Sequence, residues 1–177
     1  MKKLLLALCV TGFLYGCSSG VQRAAETPPG QVVLSQSTQI ADVTIGMTSA
    51  AKQKAAENLK FNHNELLDHV KRALDSQSLI SQEENLPTVH IEVKDIRVRS
   101  NFSAVMWGFM AGADSITGDI VIKAADGREL DRFEVSVSYA LGGLAGGQDT
   151  ARMGWLYEKF AEETLNELTA KNLVAKG

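Results

Sequence analysis

Residues 116–139, ITGDIVIKAADGRELDRFEVSVSY, decide the fold. Ile116, Ile120 and Ile122 mark a strand. Ala125-Asp126-Gly127-Arg128 then turns the chain, because an aspartate–glycine pair suits a tight hairpin. On the return, Phe133, Val135, Val137 and Tyr139 alternate with Glu134, Ser136 and Ser138. A period of two puts the first set on one face and the second on the other, so the hairpin has a buried and a solvated side and a well-defined register. An antiparallel sheet with one covered face is therefore the starting point.

Upstream of the hairpin the same period appears from Pro87 onward. Val89, Ile91 and Val93 share a face, whereas Ile96 and Val98 fall in the opposite phase, so a bulge is expected near Lys94-Asp95. Before that strand lies an amphipathic helix with a marked start. Asn62 and Glu65 have capping-box spacing, Phe61 and Leu66 are placed for a hydrophobic staple, and Leu66, Leu67, Val70, Ala73 and Leu74 share one face. Residues 49–58, rich in alanine and lysine, carry a weak helical signal. Val32, Leu34, Val43 and Ile45 alternate with polar neighbours and predict a strand ending near Ile45. Downstream, a helix opening at Asp149 or Thr150 has a stripe of Met153, Leu156, Phe160, Leu165 and Leu168, with Thr164 in the same band. The expectation is an α+β two-layer sandwich: a mainly antiparallel sheet with two amphipathic helices on one face, in the order β-α-β-β-β-α.

The amino terminus carries an address. Lys2 and Lys3 precede an apolar run, Leu4 to Leu14, which is shorter than the roughly 20 residues a spanning helix needs. Leu14-Tyr15-Gly16-Cys17 resembles the lipobox of bacterial lipoproteins, with Tyr15 bulkier than usual. The resemblance implies diacylglycerol on the Cys17 thiol, cleavage after Gly16, and acylation, as with palmitate, of the new amino group. Two or more acyl chains hold stably to a membrane where one holds marginally. Ser18, rather than aspartate, resembles the pattern of outer-membrane sorting. The competing reading is an ordinary secretory leader with an incidental cysteine. Residues 1–16 are read as signal peptide, 17–31 as the lipidated cysteine and a flexible tether, and 32–177 as one domain. A tether of that length would span about 20 Å root-mean-square.

Removing 16 of 177 residues leaves 161, and the formal charge moves from −3 to −5 as Lys2 and Lys3 depart. A mildly acidic chain has no electrostatic footprint for nucleic acid or for an anionic lipid surface. Cys9 leaves with the leader and Cys17 becomes a thioether, so no disulfide or thiolate ligand is expected, and the core alone must hold the domain. His63 and His69 are six apart and His90 lies on the polar phase of its strand, which predicts no metal site. Gly142 to Gly147 lies between a strand and a helix, but Gln148-Asp149 stand where a phosphate loop needs lysine and serine or threonine, so it reads as a structural connection. No carboxylate pair or nucleophile motif supports catalysis, and no cofactor is expected.

Trp107 to Ala113, the Asp126-Gly127 hairpin, the Gly142–Gly147 loop and the terminal helix together resemble an uncharacterised envelope lipoprotein family of unknown function, over roughly residues 32 to 172. That resemblance carries no catalytic residue. The expected function is an outer-membrane-anchored periplasmic lipoprotein, acting as a non-catalytic binding or assembly module in the cell envelope. Phe102, Met106, Trp107, Phe109 and Met110 are the candidate contact with an envelope protein, since an exposed apolar patch marks a partner surface. The alternative is a small-ligand binder or enzyme with a pocket between sheet and helices.

Overall fold

The computed structural model describes residues 17–23, 32–58, 60–100, 112–140 and 149–170. Its elements are β1 (Ser18–Gln22), β2 (Asp42–Met47), α1 (Ser49–Glu57), α2 (His63–Asp75), β3 (Thr88–Arg97), β4 (Asp114–Lys123), β5 (Glu129–Tyr139) and α3 (Asp149–Leu168). The strands form one sheet in the order β1-β5-β4-β3-β2. Among the described strands only the β2–β3 pair is parallel, and the helices α1 and α2 supply the crossover that a parallel pair requires. The architecture is α+β, as the hydrophobic periods imply.

The hairpin of β4 and β5 keeps Ile116 opposite Val137 and Ile120 opposite Phe133. Gly127 takes φ +86°, its N–H donates to the Ala124 carbonyl at 2.9 Å, and Asp126 Oδ1 accepts from Arg128 N at 2.9 Å. Asp126 stays at negative φ, so this is a turn closed by one left-handed glycine, with a register shift at Lys123. The β3 bulge falls between Val93 and Asp95. It re-phases the strand, so that Ile96 is buried on the same side as Val89, Ile91 and Val93.

Helix α2 begins as the sequence predicts. Asn62 Oδ1 accepts from Asn64 N at 3.0 Å and Glu65 N at 3.4 Å, and Phe61 and Leu66 are both buried. The returning half of the capping box is replaced, since Asn62 N–H donates to the Tyr157 hydroxyl of α3 at 2.8 Å. Burial pushes that phenol up to about 12. Residues 49–57 do form a helix, capped by Thr48, whose Oγ1 accepts from Ala51 N at 3.2 Å. The signal was weak because Ala51 is the one residue of α1 that is fully buried.

The main departure lies next to Cys17. Ser18–Gln22, expected in the tether, form an edge strand antiparallel to β5, from Ser18 opposite Ser138 to Gln22 opposite Glu134. A run of small and polar residues has no period to announce a strand, and its pairing comes entirely from the exposed edge of β5. Arg23 closes the strand: Nη1 reaches Asp131 at 2.6 Å, Nε reaches Glu167 at 2.7 Å, and the guanidinium lies 5.0 Å from the Phe133 ring centre.

Helices α2 and α3 cover one face, where Val70, Leu74, Leu156 and Phe160 meet Ile91, Ile120 and Val135 in one core. The other face is polar. On it Lys94 bridges Asp119 and Glu134, Arg132 bridges Asp119 and Glu129, and Thr117 bonds Ser136. Such exposed pairs contribute little each and chiefly set cross-strand register.

Candidate functional site

Two features meet at one end of the sheet. Cys17, half-buried, sits directly before β1, and β1 starts beside the carboxy end of β5. The same end holds a buried charged cluster, made by residues from the ends of β3 and β4 and the first turn of α3. Arg99, Asp114 and Arg152 are 5%, 0% and 1% exposed, which charged residues tolerate only when paired and bonded. Asp114 Oδ1 accepts from the Arg99 backbone N–H at 2.6 Å, and Oδ2 accepts from Arg99 Nη2 at 3.0 Å and Arg152 Nε at 2.9 Å. Arg99 also donates from Nη1 to the Gly112 carbonyl at 2.8 Å and from Nη2 to the Tyr139 carbonyl at 3.1 Å, while Arg152 Nη2 reaches the Arg99 carbonyl at 3.2 Å. Two strands and one helix are thereby tied through a single carboxylate, and Arg99 adds β5 through the Tyr139 carbonyl. The tied residues are the stems that lead into 101–111 and 141–148.

Sequence reading missed this cluster, although one signal was present. Arg152 falls on the stripe of α3 at four- and eight-residue spacing from Leu156 and Phe160, where an arginine must find a buried partner. The candidate contacts Phe102, Met106, Trp107, Phe109 and Met110 lie outside the described residues, as does Gly142 to Gly147. Arg97, the last residue of β3, packs its guanidinium over Gly112, where a Cβ would lie 2.6 Å from Nη2, and Gly112 holds φ +84°.

The histidines stand apart. His63 opens α2, His69 lies 5.8 Å from the Tyr157 ring, and His90 bonds Thr44 Oγ1 through Nδ1 at 2.9 Å. Among the described residues no three His, Cys, Asp or Glu side chains gather as metal ligands. Burial lowers the pKa of both His69 and His90 from 6.5, aided by Arg72 at the first and Lys123 at the second. A folded state that holds these rings neutral is at full strength above pH 6.5 and loses stability as pH falls through their depressed values. The melting temperature should therefore drop on acidification below 6.5, and a His69→Gln/His90→Gln variant should show a flatter profile. An unchanged slope in that variant would place the acid sensitivity on the carboxylates.

A shallow cavity of about 290 Å³ opens on the polar face, lined by Gln22, Arg23, Lys94, Asp119, Arg132, Phe133 and Glu134. Its charged groups bond one another: Glu134 and Asp119 raise the Lys94 pKa, and Glu129 and Asp119 raise that of Arg132.

A family model described as "Domain of unknown function (DUF4410)" matches residues 24–143. The chain belongs to the DUF4410 family. The match takes in β2 through β5, and with them Arg99 and Asp114, while β1 and Arg152 of α3 lie outside the matched DUF4410 residues. No curated protein matches the chain. Among solved structures, the PelC dodecamer from Paraburkholderia phytofirmans is 8% identical, with a TM-score of 0.44 over 86% of this chain and 97% of that one. A DUF330 protein from Xanthomonas campestris is 14% identical, with a TM-score of 0.44 over 82% and 91%. Among the described residues no helix is long and apolar enough to cross a membrane.

Proposed function

We propose that this DUF4410 protein is a lipoprotein of the bacterial outer membrane, held in the periplasm by lipid on Cys17, and that it is a non-catalytic module binding an envelope protein. The observation that carries the reading is the run Leu14-Tyr15-Gly16-Cys17 followed at once by a folded strand. The apolar segment Phe102 to Met110 supplies the partner contact, and the buried arginines and Asp114 hold its stems. A binding role is favoured over chemistry because the cavity on the sheet spends its charges on internal pairs.

The test joins anchor and partner. Cells fed an alkyne analogue of palmitate should label the protein and fractionate it with outer membrane, and Cys17→Ala should abolish the label. Ser18→Asp should shift it to inner membrane. A photoreactive residue at Trp107 should capture one defined envelope protein, and the adduct should vanish with Phe109→Asp. An unlabelled protein sinks the anchor, and a labelled protein with no adduct sinks the binding role.

A further inference from the structure

The order of β1 has a geometric consequence for where the domain stands. In β1, Ser18 pairs with Ser138 and its Oγ lies 2.8 Å from Ser138 Oγ, while Ser19 Oγ donates to Glu163 of α3 at 2.7 Å. The residue after the lipid site is thus already built into the sheet, and the five-residue strand is closed by the bonds of Arg23 to Asp131 and Glu167. One Cα step of about 3.8 Å separates Cys17 from that strand, so no spacer lies between lipid and fold. A flexible tether would have let the domain drift about 20 Å from the surface.

We infer that the domain sits directly on the bilayer by the sheet end that carries Ser18, Ser138, Ser115 and Arg97, with the Asp126-Gly127 hairpin pointing away. This rests on the lipidation of Cys17 proposed above. The register fixes the polarity: Ser18, Ser138, Ser115 and Arg97 form one cross-strand row, and Lys123 and Glu129 lie at the far end. Nine residue steps along β5 from Glu129 to Ser138, at about 3.3 Å each, separate the two ends by about 30 Å. A second observation points the same way. Tyr139 and Trp155, each half-buried, pack with ring centres 5.2 Å apart beside that row. Tyrosine and tryptophan pairs of this kind, apolar in body and polar at the tip, are the residues that settle at headgroup level. The partner of this end is a lipid surface, so an envelope protein reached through Phe102–Met110, whose stems at Arg99 and Gly112 lie at this same end, would be met at the membrane surface, with the hairpin and the turn at residues 81–87 standing away from it.

The experiment uses the full lipoprotein purified from membranes and reconstituted in phosphatidylethanolamine and phosphatidylglycerol vesicles. Mass spectrometry first establishes acylation of Cys17, after which a newly introduced cysteine is the sole thiol. Ser115→Cys and Asp126→Cys are each labelled with an environment-sensitive fluorophore and mixed with lipid spin-labelled at the headgroup. The expected result is loss of most emission from the label at 115 and none from that at 126. An unmodified Cys17 overturns the anchor and this inference with it. An acylated, vesicle-bound protein whose two labels are quenched alike, or not at all, overturns the seated orientation and leaves the anchor standing.

Discussion

Replacing Asp114 by asparagine should destabilise the domain by about 3–5 kcal/mol, the range seen when one partner of a buried ion pair is removed. The amide is nearly isosteric, so shape is retained and charge is the variable. Turned one way, its NH2 group would face both Arg99 Nη2 and Arg152 Nε, the donors that now share Oδ2 at 3.0 and 2.9 Å; turned the other way, it would face the Arg99 backbone N–H. Both guanidiniums stay buried, with the carboxylate between them gone. A triple variant, Arg99→Met/Asp114→Leu/Arg152→Met, should be more stable than the single one, because it leaves no uncompensated charge in the interior. It should not exceed the parent protein, since the Gly112 and Tyr139 carbonyls lose their Arg99 donors. Urea titration followed by circular dichroism reads both. A single variant within about 1 kcal/mol of the parent would mean that the cluster relaxes to admit water, against its burial.

Phe160→Ala should cost a similar amount, about 3–5 kcal/mol, for an unrelated reason. Phe160 is fully buried on α3, and its ring fills the hollow above Gly118 in the middle of β4. A Cβ built on Gly118 would lie 3.3 Å from Phe160 Cζ and 3.2 Å from the Glu92 carbonyl. Glycine is there for close approach rather than for backbone freedom. Truncating the ring opens a cavity over a strand that has no side chain to collapse into it. Gly118→Ala is the opposite error and should cost about 1–3 kcal/mol by overpacking. Combining Gly118→Ala with Phe160→Leu should restore part of that loss, because the ring can yield and the Glu92 carbonyl, held in the sheet, cannot. Full recovery would show that the ring alone set the need for glycine.

The positions at which sequence reading succeeded share one property: their signal is local. Alternation from Phe133 to Val137, the phase slip at Lys94-Asp95 and the Asn62 cap can each be read within a dozen residues. Asp114 was overlooked because an aspartate at a strand end reads as solvated unless its partners are known. Those partners lie 15 and 38 residues away. Thr164 shows the intermediate case. Its place in the buried stripe of α3 was visible, but the bond of its Oγ1 to the Phe160 carbonyl at 2.8 Å, which makes its burial tolerable, was not.

By itself, then, the sequence determined which faces of the helices and of the β3–β5 strands are buried and where the hairpin turns. Hydrophobic period and turn chemistry suffice for these, since they act along the chain. Tertiary structure alone decided that Ser18–Gln22 join the edge of β5, that β2 runs parallel to β3, and that Tyr157 completes the cap of α2. It also drew Arg99, Asp114 and Arg152 into one buried cluster. Each is a contact between residues distant in sequence, and each answers a demand that arises only on packing: an open sheet edge needs pairing, and a buried N–H or charge needs a partner.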